Sequence, residues 1–314
     1  VYTYFAYNLC IHSDIPFPEL VSFEKVSEDT AQSPDVVISL RQIQDWETQL
    51  ADGENRIFGL IEDPLRVCRF LSDAGRQIIV EPEPGIEIDI LRPYILGPMF
   101  AILLRQRGLL ILHASSIAIN GEAIGFLGHS GWGKSTLANA FYNEGYSLLT
   151  DDVMAIQVEG NAPITFAGYP YVRLLPDSAA CLGYDFNSLT HIHSGASKRN
   201  NSLIRGFQQK PLPLKRLYVL ENIVRSQNQI ETLQLQESLV ELIRHSRVMN
   251  ILTTKDFMSA HLRQCSELLK KVPVLRLKRQ HSLTALPDIV KLVEEDLAKS
   301  ADIAPYTWKT TAVG

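Results

Sequence analysis

Short runs of alternating or β-branched apolar residues dominate the first eighty positions. Val36–Leu40, Arg56–Ile61, Leu65–Leu71 and Arg76–Glu81 each predict a strand, and Asp73, Ala74 and Gly75 supply a hairpin turn between the last two. The stretch Glu81, Pro82, Glu83, Pro84, Gly85 then breaks the ladder, because proline removes a backbone donor and fixes φ. A β-rich N-terminal domain over residues 1–85 is expected, followed by a second domain over 86–314.

In that second part, Ile88–Gln106 has the apolar spacing of a helix, and Leu109–His113 and Ser116–Ile119 read as buried strands. Asn120 and Gly121 can both take positive φ, so Ser116–Ile119 should pair with Glu122–Leu127 as a hairpin. Ser135–Tyr142 predicts a helix closed by Gly145, with strands to follow at Tyr146–Thr150, Val153–Val158 and Ile164–Phe166. Between Asp185 and Lys210 the apolar density falls, and a mobile loop is expected. Strand and helix patterns return at Arg216–Leu220, Ile230–Leu235, Ser238–His245, Lys255–Leu269, Val274–Leu277 and Ala285–Lys299. The fold class is therefore α/β, without an internal repeat.

Composition narrows the picture only slightly. The 314 residues are 46% hydrophobic and 21% charged, with a net charge of −5, which excludes collagen-like and wholly disordered chains and argues against a surface built for nucleic acid. Cys10, Cys68, Cys181 and Cys265 are too scattered for a zinc site or a disulfide framework, so a reducing, cytoplasmic setting is expected. No apolar run reaches the length of a bilayer span, and Val1–Leu9 lacks the pattern of a secretory leader, so no membrane partner is expected.

The chemistry concentrates in one loop. Gly128, His129, Ser130, Gly131, Trp132, Gly133, Lys134 and Ser135 satisfy G-x-x-x-x-G-K-[ST], and Thr136 follows. An apolar strand precedes the loop and a helix follows it, the context in which successive backbone N–H groups turn inward around phosphate oxygens. Lys134 would reach the β- and γ-phosphates of a nucleotide, and the Ser135 hydroxyl would hold Mg²⁺. Trp132 either stacks on the nucleotide or shields the loop.

Leu148, Leu149 and Thr150 run into Asp151 and Asp152 directly after the phosphate-loop helix. Parallel strands flanking one helix end at the same sheet edge, so these carboxylates should lie near the γ-phosphate, although strand alternation lets only one of them face the nucleotide. One can hold Mg²⁺ while the other takes the proton of an attacking hydroxyl. His113 ends another apolar strand, where a histidine is more often structural than functional.

Together, His113, the Gly128–Thr136 loop and Leu149–Asp152 resemble the HPr kinase/phosphorylase family, bacterial enzymes that phosphorylate a protein serine. The resemblance implies an HPr-kinase-type catalytic domain using ATP and Mg²⁺. His113, Lys134 and Asp152 match the family's active-site histidine, phosphate lysine and proton-transferring aspartate, and Ser135 its metal ligand. Asp177 and the pair Lys198, Arg199 fall roughly where the family has a downstream acidic metal ligand and a basic pair, whereas its Glu-Ile-Arg-Gly signature is absent. Over most of its length the chain looks more like the subgroup found beside lasso-peptide genes, through segments such as Ser13–Leu20, Leu110–Ser116, Pro176–Ala180 and Pro211–Leu214. Such kinases phosphorylate a serine at the C-terminal end of a precursor peptide, and relatives of the family form oligomers.

The expectation is thus a serine kinase whose partner is a peptide or protein, with Asp151 and Asp177 assisting Ser135 at the metal. Arg173, Lys198 and Arg199 are candidates to neutralise transferred phosphate. Two rivals stand beside it: a nucleotide-dependent ATPase switch with a partner-binding N-terminal domain, and a kinase for a small-molecule alcohol. His191 and His193 could pair at a metal, but no third ligand is evident.

Overall fold

The computed structural model describes residues 1–22, 33–44, 55–224, 227–247 and 254–299. It is a mixed α/β protein. Its N-terminal part is a seven-stranded sheet built from β1 (Tyr2–Ala6), β2 (Leu9–Ser13), β3 (Val21–Ser22), β4 (Val36–Leu40), β5 (Arg56–Glu62), β6 (Arg66–Asp73) and β7 (Gln77–Pro82), ordered β3-β1-β2-β4-β7-β6-β5. The patterns at Val36–Leu40, Arg56–Ile61, Leu65–Leu71 and Arg76–Glu81 anticipate four of these strands, β4 to β7. The β1–β2 hairpin was not expected; its turn falls on Tyr7 and Asn8, both with positive φ and neither a glycine.

Next comes one continuous helical segment: α1 (Ile88–Tyr94), a π-helical turn (Ile95–Met99) and α2 (Phe100–Gln106). Pro93 and Pro98 explain the interruption, since each deletes an N–H from the ladder of a helix otherwise fully capable of continuing. This segment is apolar on most sides because it is packed on most sides. Leu91, Met99, Phe100 and Leu103 share one core with Ile38, Phe70 and Val80 of the N-terminal sheet and with Ile111, Val153 and Ala155 beyond it.

The second sheet has nine strands. β8 (Leu110–Leu112), β9 (Ala114–Ile119), β10 (Glu122–Leu127), α3 (Lys134–Asn143), β11 (Ser147–Thr150), β12 (Met154–Gln157) and β13 (Ile164–Thr165) follow in the chain, with α3 the helix after the phosphate loop. Asn120 and Gly121 have positive φ and form the anticipated hairpin turn between β9 and β10. Then come β14 (Tyr171–Leu174), α4 (Pro176–Cys181), β15 (Thr190–His191), β16 (Arg199–Ser202), β17 (Leu212–Ile223), β18 (Gln229–Thr232), α5 (Leu235–Arg244), α6 (Lys255–Leu269), β19 (Val274–Gln280) and α7 (Leu286–Ala298).

The sheet order begins β11-β9-β10-β17, with β19 parallel to β17. β9 runs antiparallel to both β11 and β10, so β11 is parallel to β10 with β9 between them. The C-terminal ends of β10, β11 and β19 therefore open on one edge, and Ala114, the first residue of β9, is paired there with Leu127. At ten residues α3 is too short to persist alone, so packing holds it: Leu137, Ala138 and Phe141 lie in a core with Ile117, Ile124 and Phe126.

The segment expected as a mobile loop carries short strands. β14, β15 and β16 form a separate three-stranded sheet, and Asn200 and Asn201 are buried within it. Asn201 Nδ2 donates to Asn139 Oδ1 of α3 at 2.9 Å, so residues that read as loop composition satisfy one another inside the fold. Among the described residues, no helix is long and apolar enough to cross a membrane.

Candidate active site

A cavity of about 670 Å³ lies at the sheet edge just described. Of the phosphate loop, Ser130, Gly131, Gly133, Lys134, Ser135 and Thr136 line it. Gly131 and Gly133 have φ of 81° and 78°, the left-handed region that lets N–H groups of a loop converge. Any side chain at Gly133 would also press on the Arg279 guanidinium, 3.2 Å from where its Cβ would stand.

Gly128, His129 and Trp132 are not among the lining residues. Gly128 and His129 contribute carbonyl oxygens that accept from Lys134 Nζ at 2.8 and 3.3 Å. The rings of His129 and Trp132 lie edge to face with centroids 4.7 Å apart. Burial pulls the Lys134 ammonium down to about 8, against the opposing pull of Asp151 and Asp152.

The two aspartates do different things. Asp151 is buried, and its Oδ1 accepts from Ser115 Oγ and, at 3.0 Å, from Ser135 Oγ; its Oδ2 faces the Arg173 N–H at 3.4 Å. Ser135 and Asp151 are hard oxygen donors in contact, which fits Mg²⁺ with several retained waters, and Asp177 lines the same cavity without a contact to either. Thr136 Oγ1 donates to Ser178 Oγ at 3.1 Å, tying the phosphate-loop helix to the helix that carries Asp177.

Asp152 has a φ of 72°, an uncommon conformation for a residue with a side chain and one that concentrates at functional sites. It ends the strand with a backbone reversal, so both carboxylates reach the cavity even though neighbours on a regular strand would diverge. Its Oδ1 receives His113 Nδ1 at 2.9 Å and the Arg247 guanidinium, and Arg173 Nη1 lies 3.8 Å from Oδ2. Burial alone would raise this carboxyl, but the His113 hydrogen bond and the charges of Arg247 and Arg173 outweigh it and hold the group far below the usual carboxylate range.

Lys198 and Arg173 line the cavity as expected of phosphate-neutralising candidates, but Arg199 does not. Its guanidinium donates to the Phe186 carbonyl at 2.9 Å and lies over the Phe186 ring. Lys198 lies in the bend before β16, and Arg199 is the first residue of that strand. His191 and His193 lie on the small sheet and its following turn, and no cluster of three metal-ligating side chains exists among the described residues.

Three basic residues that sequence reasoning missed complete the cavity: Arg247, Arg279 and His281. Arg279 is buried on β19 and donates to the Trp132 carbonyl, bracing the phosphate loop from beneath. A signal for it existed, because Arg279 shares the inward parity of Leu275 and Leu277, where a charge needs a purpose. Arg247 follows α5 and had no local signal at all. The cavity lining also has an apolar part. Pro93, Tyr94 and Pro98 come from the helical segment whose Gly97 stands against Asp152, a Cβ there falling 3.5 Å from Oδ2, and Leu175, Leu283 and Leu286 add apolar lining.

No protein-family model and no curated protein sequence matches this chain. Among solved structures, the Hpr(Ser) kinase/phosphatase from Coxiella burnetii is similar to it at 13% identity and a TM-score of 0.35, over 60% of this chain and 97% of that one.

Proposed function

We propose that this protein is a kinase that transfers the γ-phosphoryl group of ATP to a hydroxyl, with Asp152 receiving the hydroxyl proton. One observation carries the reading: a phosphate loop and a second, tightly held carboxylate face a single cavity lined by Lys134, Arg173, Lys198, Arg247 and Arg279. Asp152, fixed by three partners beside the loop, has the placement of a group that orients an acceptor.

In this reading the triphosphate lies along the loop, with Lys134 on its β- and γ-oxygens. Mg²⁺, held through Ser135 and Asp151, would neutralise charge on the same phosphates. The acceptor hydroxyl enters from the side of Tyr94 and Pro98, so the N-terminal helical segment contributes to acceptor choice. Its oxygen attacks the γ-phosphorus, the bond to the bridging oxygen breaks, ADP leaves, and the proton passes to Asp152. A carboxylate held so acidic is a weak base, but it suffices for a transition state in which bond breaking runs ahead of proton transfer.

The acceptor is proposed as a serine, and the resemblance to the lasso-peptide subgroup names the C-terminal serine of a precursor peptide. Incubation with γ-labelled ATP, Mg²⁺ and candidate peptides tests this. Label on a peptide serine supports the reading, free phosphate alone favours the ATPase switch, and a labelled metabolite favours a small-molecule alcohol.

A further inference from the structure

The backbone around Arg247 is pinned to the strand end that carries His113. Arg247 N donates to Ile111 O at 2.9 Å, Ser246 bridges to Leu112, and His113 N donates to His245 O at 2.7 Å. One short segment thus fixes His113 and Arg247 on the same side of Asp152, and both act on Oδ1. The pairing with Asp152 occupies one guanidinium N–H; Nε is buried and has no hydrogen-bond partner among the described residues. A guanidinium carries five donors in a planar fork suited to phosphoryl oxygens as well as carboxylates.

Two other cations of the cavity are tied to the loop, while Arg173 lies 3.8 Å from Asp152 Oδ2. Lys134 is tied to Gly128 O and His129 O, and Arg279 to Trp132 O. Arg247 instead stands at the Asp152 carboxylate, and the Lys134 ammonium feels its charge.

We propose that Arg247 is a further catalytic residue, bridging the Asp152 carboxylate and the phosphoryl group in transit so that charge moving between them is neutralised by one side chain. The inference rests on the phosphotransfer reading above. Arg247 keeps its protons throughout: the acceptor oxygen bonds to the γ-phosphorus, ADP departs with the bridging oxygen, and the hydroxyl proton goes to Asp152. It is an arginine supplied from within the chain for a role that some phosphotransfer enzymes fill from a partner.

The test compares the wild-type full chain with R247Q and R247K, using Mg²⁺-ADP and Mg²⁺-ADP with aluminium fluoride, a mimic of the phosphoryl group in flight. Wild type should bind the fluoride complex at least ~100-fold more tightly than ADP. R247Q should bind ADP within ~3-fold of wild type and lose most of that preference, with ATP turnover falling ~10³-fold. R247K, keeping the charge without the fork, should recover only part of the loss, and added guanidinium should restore some turnover to R247A. Undiminished preference for the fluoride complex in R247Q overturns the inference while leaving the kinase reading intact. Equal loss of ADP binding also overturns it, by making Arg247 a support of the loop. A wild-type protein that binds neither ADP nor its fluoride complex removes the phosphotransfer reading itself, and this inference with it.

Discussion

His113 Nδ1 lies 2.9 Å from Asp152 Oδ1 and 3.3 Å from the Asp152 carbonyl oxygen. Both oxygens can only accept, so the imidazole proton resides on Nδ1 and the ring acts as a clamp on the carboxylate. A histidine that looked structural in the sequence thus positions the group on which the chemistry turns.

Replacing it should show in the pH profile. The Asp152 carboxyl sits far below its ordinary range, so in wild type its protonation removes no activity near neutrality. His113→Ala deletes the largest of the interactions that lower it, and the acid limb of kcat/KM should move to higher pH, with kcat reduced ~10–100-fold. Rates measured from pH 4 to 8 check this; an unmoved acid limb with normal kcat contradicts it.

Nucleotide affinity should also depend on pH, through Lys134. Its pKa of about 8 in the free protein must rise when phosphate oxygens approach, so binding takes up a proton above that pH. Affinity for ATP should hold steady below pH 7 and fall by up to ~10-fold per unit above pH 8. Titration calorimetry in buffers of different ionisation enthalpy reads the proton uptake directly. Lys134→Ala should abolish transfer while leaving the melting temperature close to wild type, because the amine contacts only loop carbonyls among the described residues.

Ser135 and Asp151 are expected to govern the metal requirement. Ser135→Ala should raise the Mg²⁺ concentration for half-maximal turnover by ~10-fold or more. Saturation by wild-type concentrations of Mg²⁺ would remove Ser135 from the metal.

Far from the cavity, Asp296 sets a stability prediction. Its carboxylate accepts from the buried Arg216 guanidinium and from Tyr218 OH at 2.7 Å. Asp296→Ala leaves Arg216 charged and uncompensated in the sheet, and should cost about 3 kcal/mol in denaturant unfolding. A loss under ~0.5 kcal/mol would show that solvent reaches the pair.

Local pattern carried the elements around the cavity. The phosphate loop, the Asn120, Gly121 turn and the strand ending at Thr150 are all short-range features, so their positions followed from periodicity and turn chemistry. The sheet order was beyond that reach: nothing local to Ser147–Thr150 says that β9 lies between it and β10, because strand order is settled by packing across the chain. The same limit hid Arg247, which meets Asp152 across 95 positions. Asn200 and Asn201 misled in the opposite direction. Both are buried, and the Asn201 amide offsets its desolvation with a hydrogen bond to Asn139 of α3. Asp152 shows a further reason, since strand alternation would have sent it away from Asp151 and a left-handed φ returned it.

The central claim is spatial, and a crystal structure with Mg²⁺ and a non-hydrolysable ATP analogue tests it most directly. A hydroxyl held between base and phosphorus puts a carboxylate oxygen of Asp152 within about 6 Å of the γ-phosphorus, in line with the bridging oxygen. That distance, with the β- and γ-phosphates on Lys134, is the predicted result. A γ-phosphate on the loop with Asp152 turned away and well beyond that distance would contradict the account.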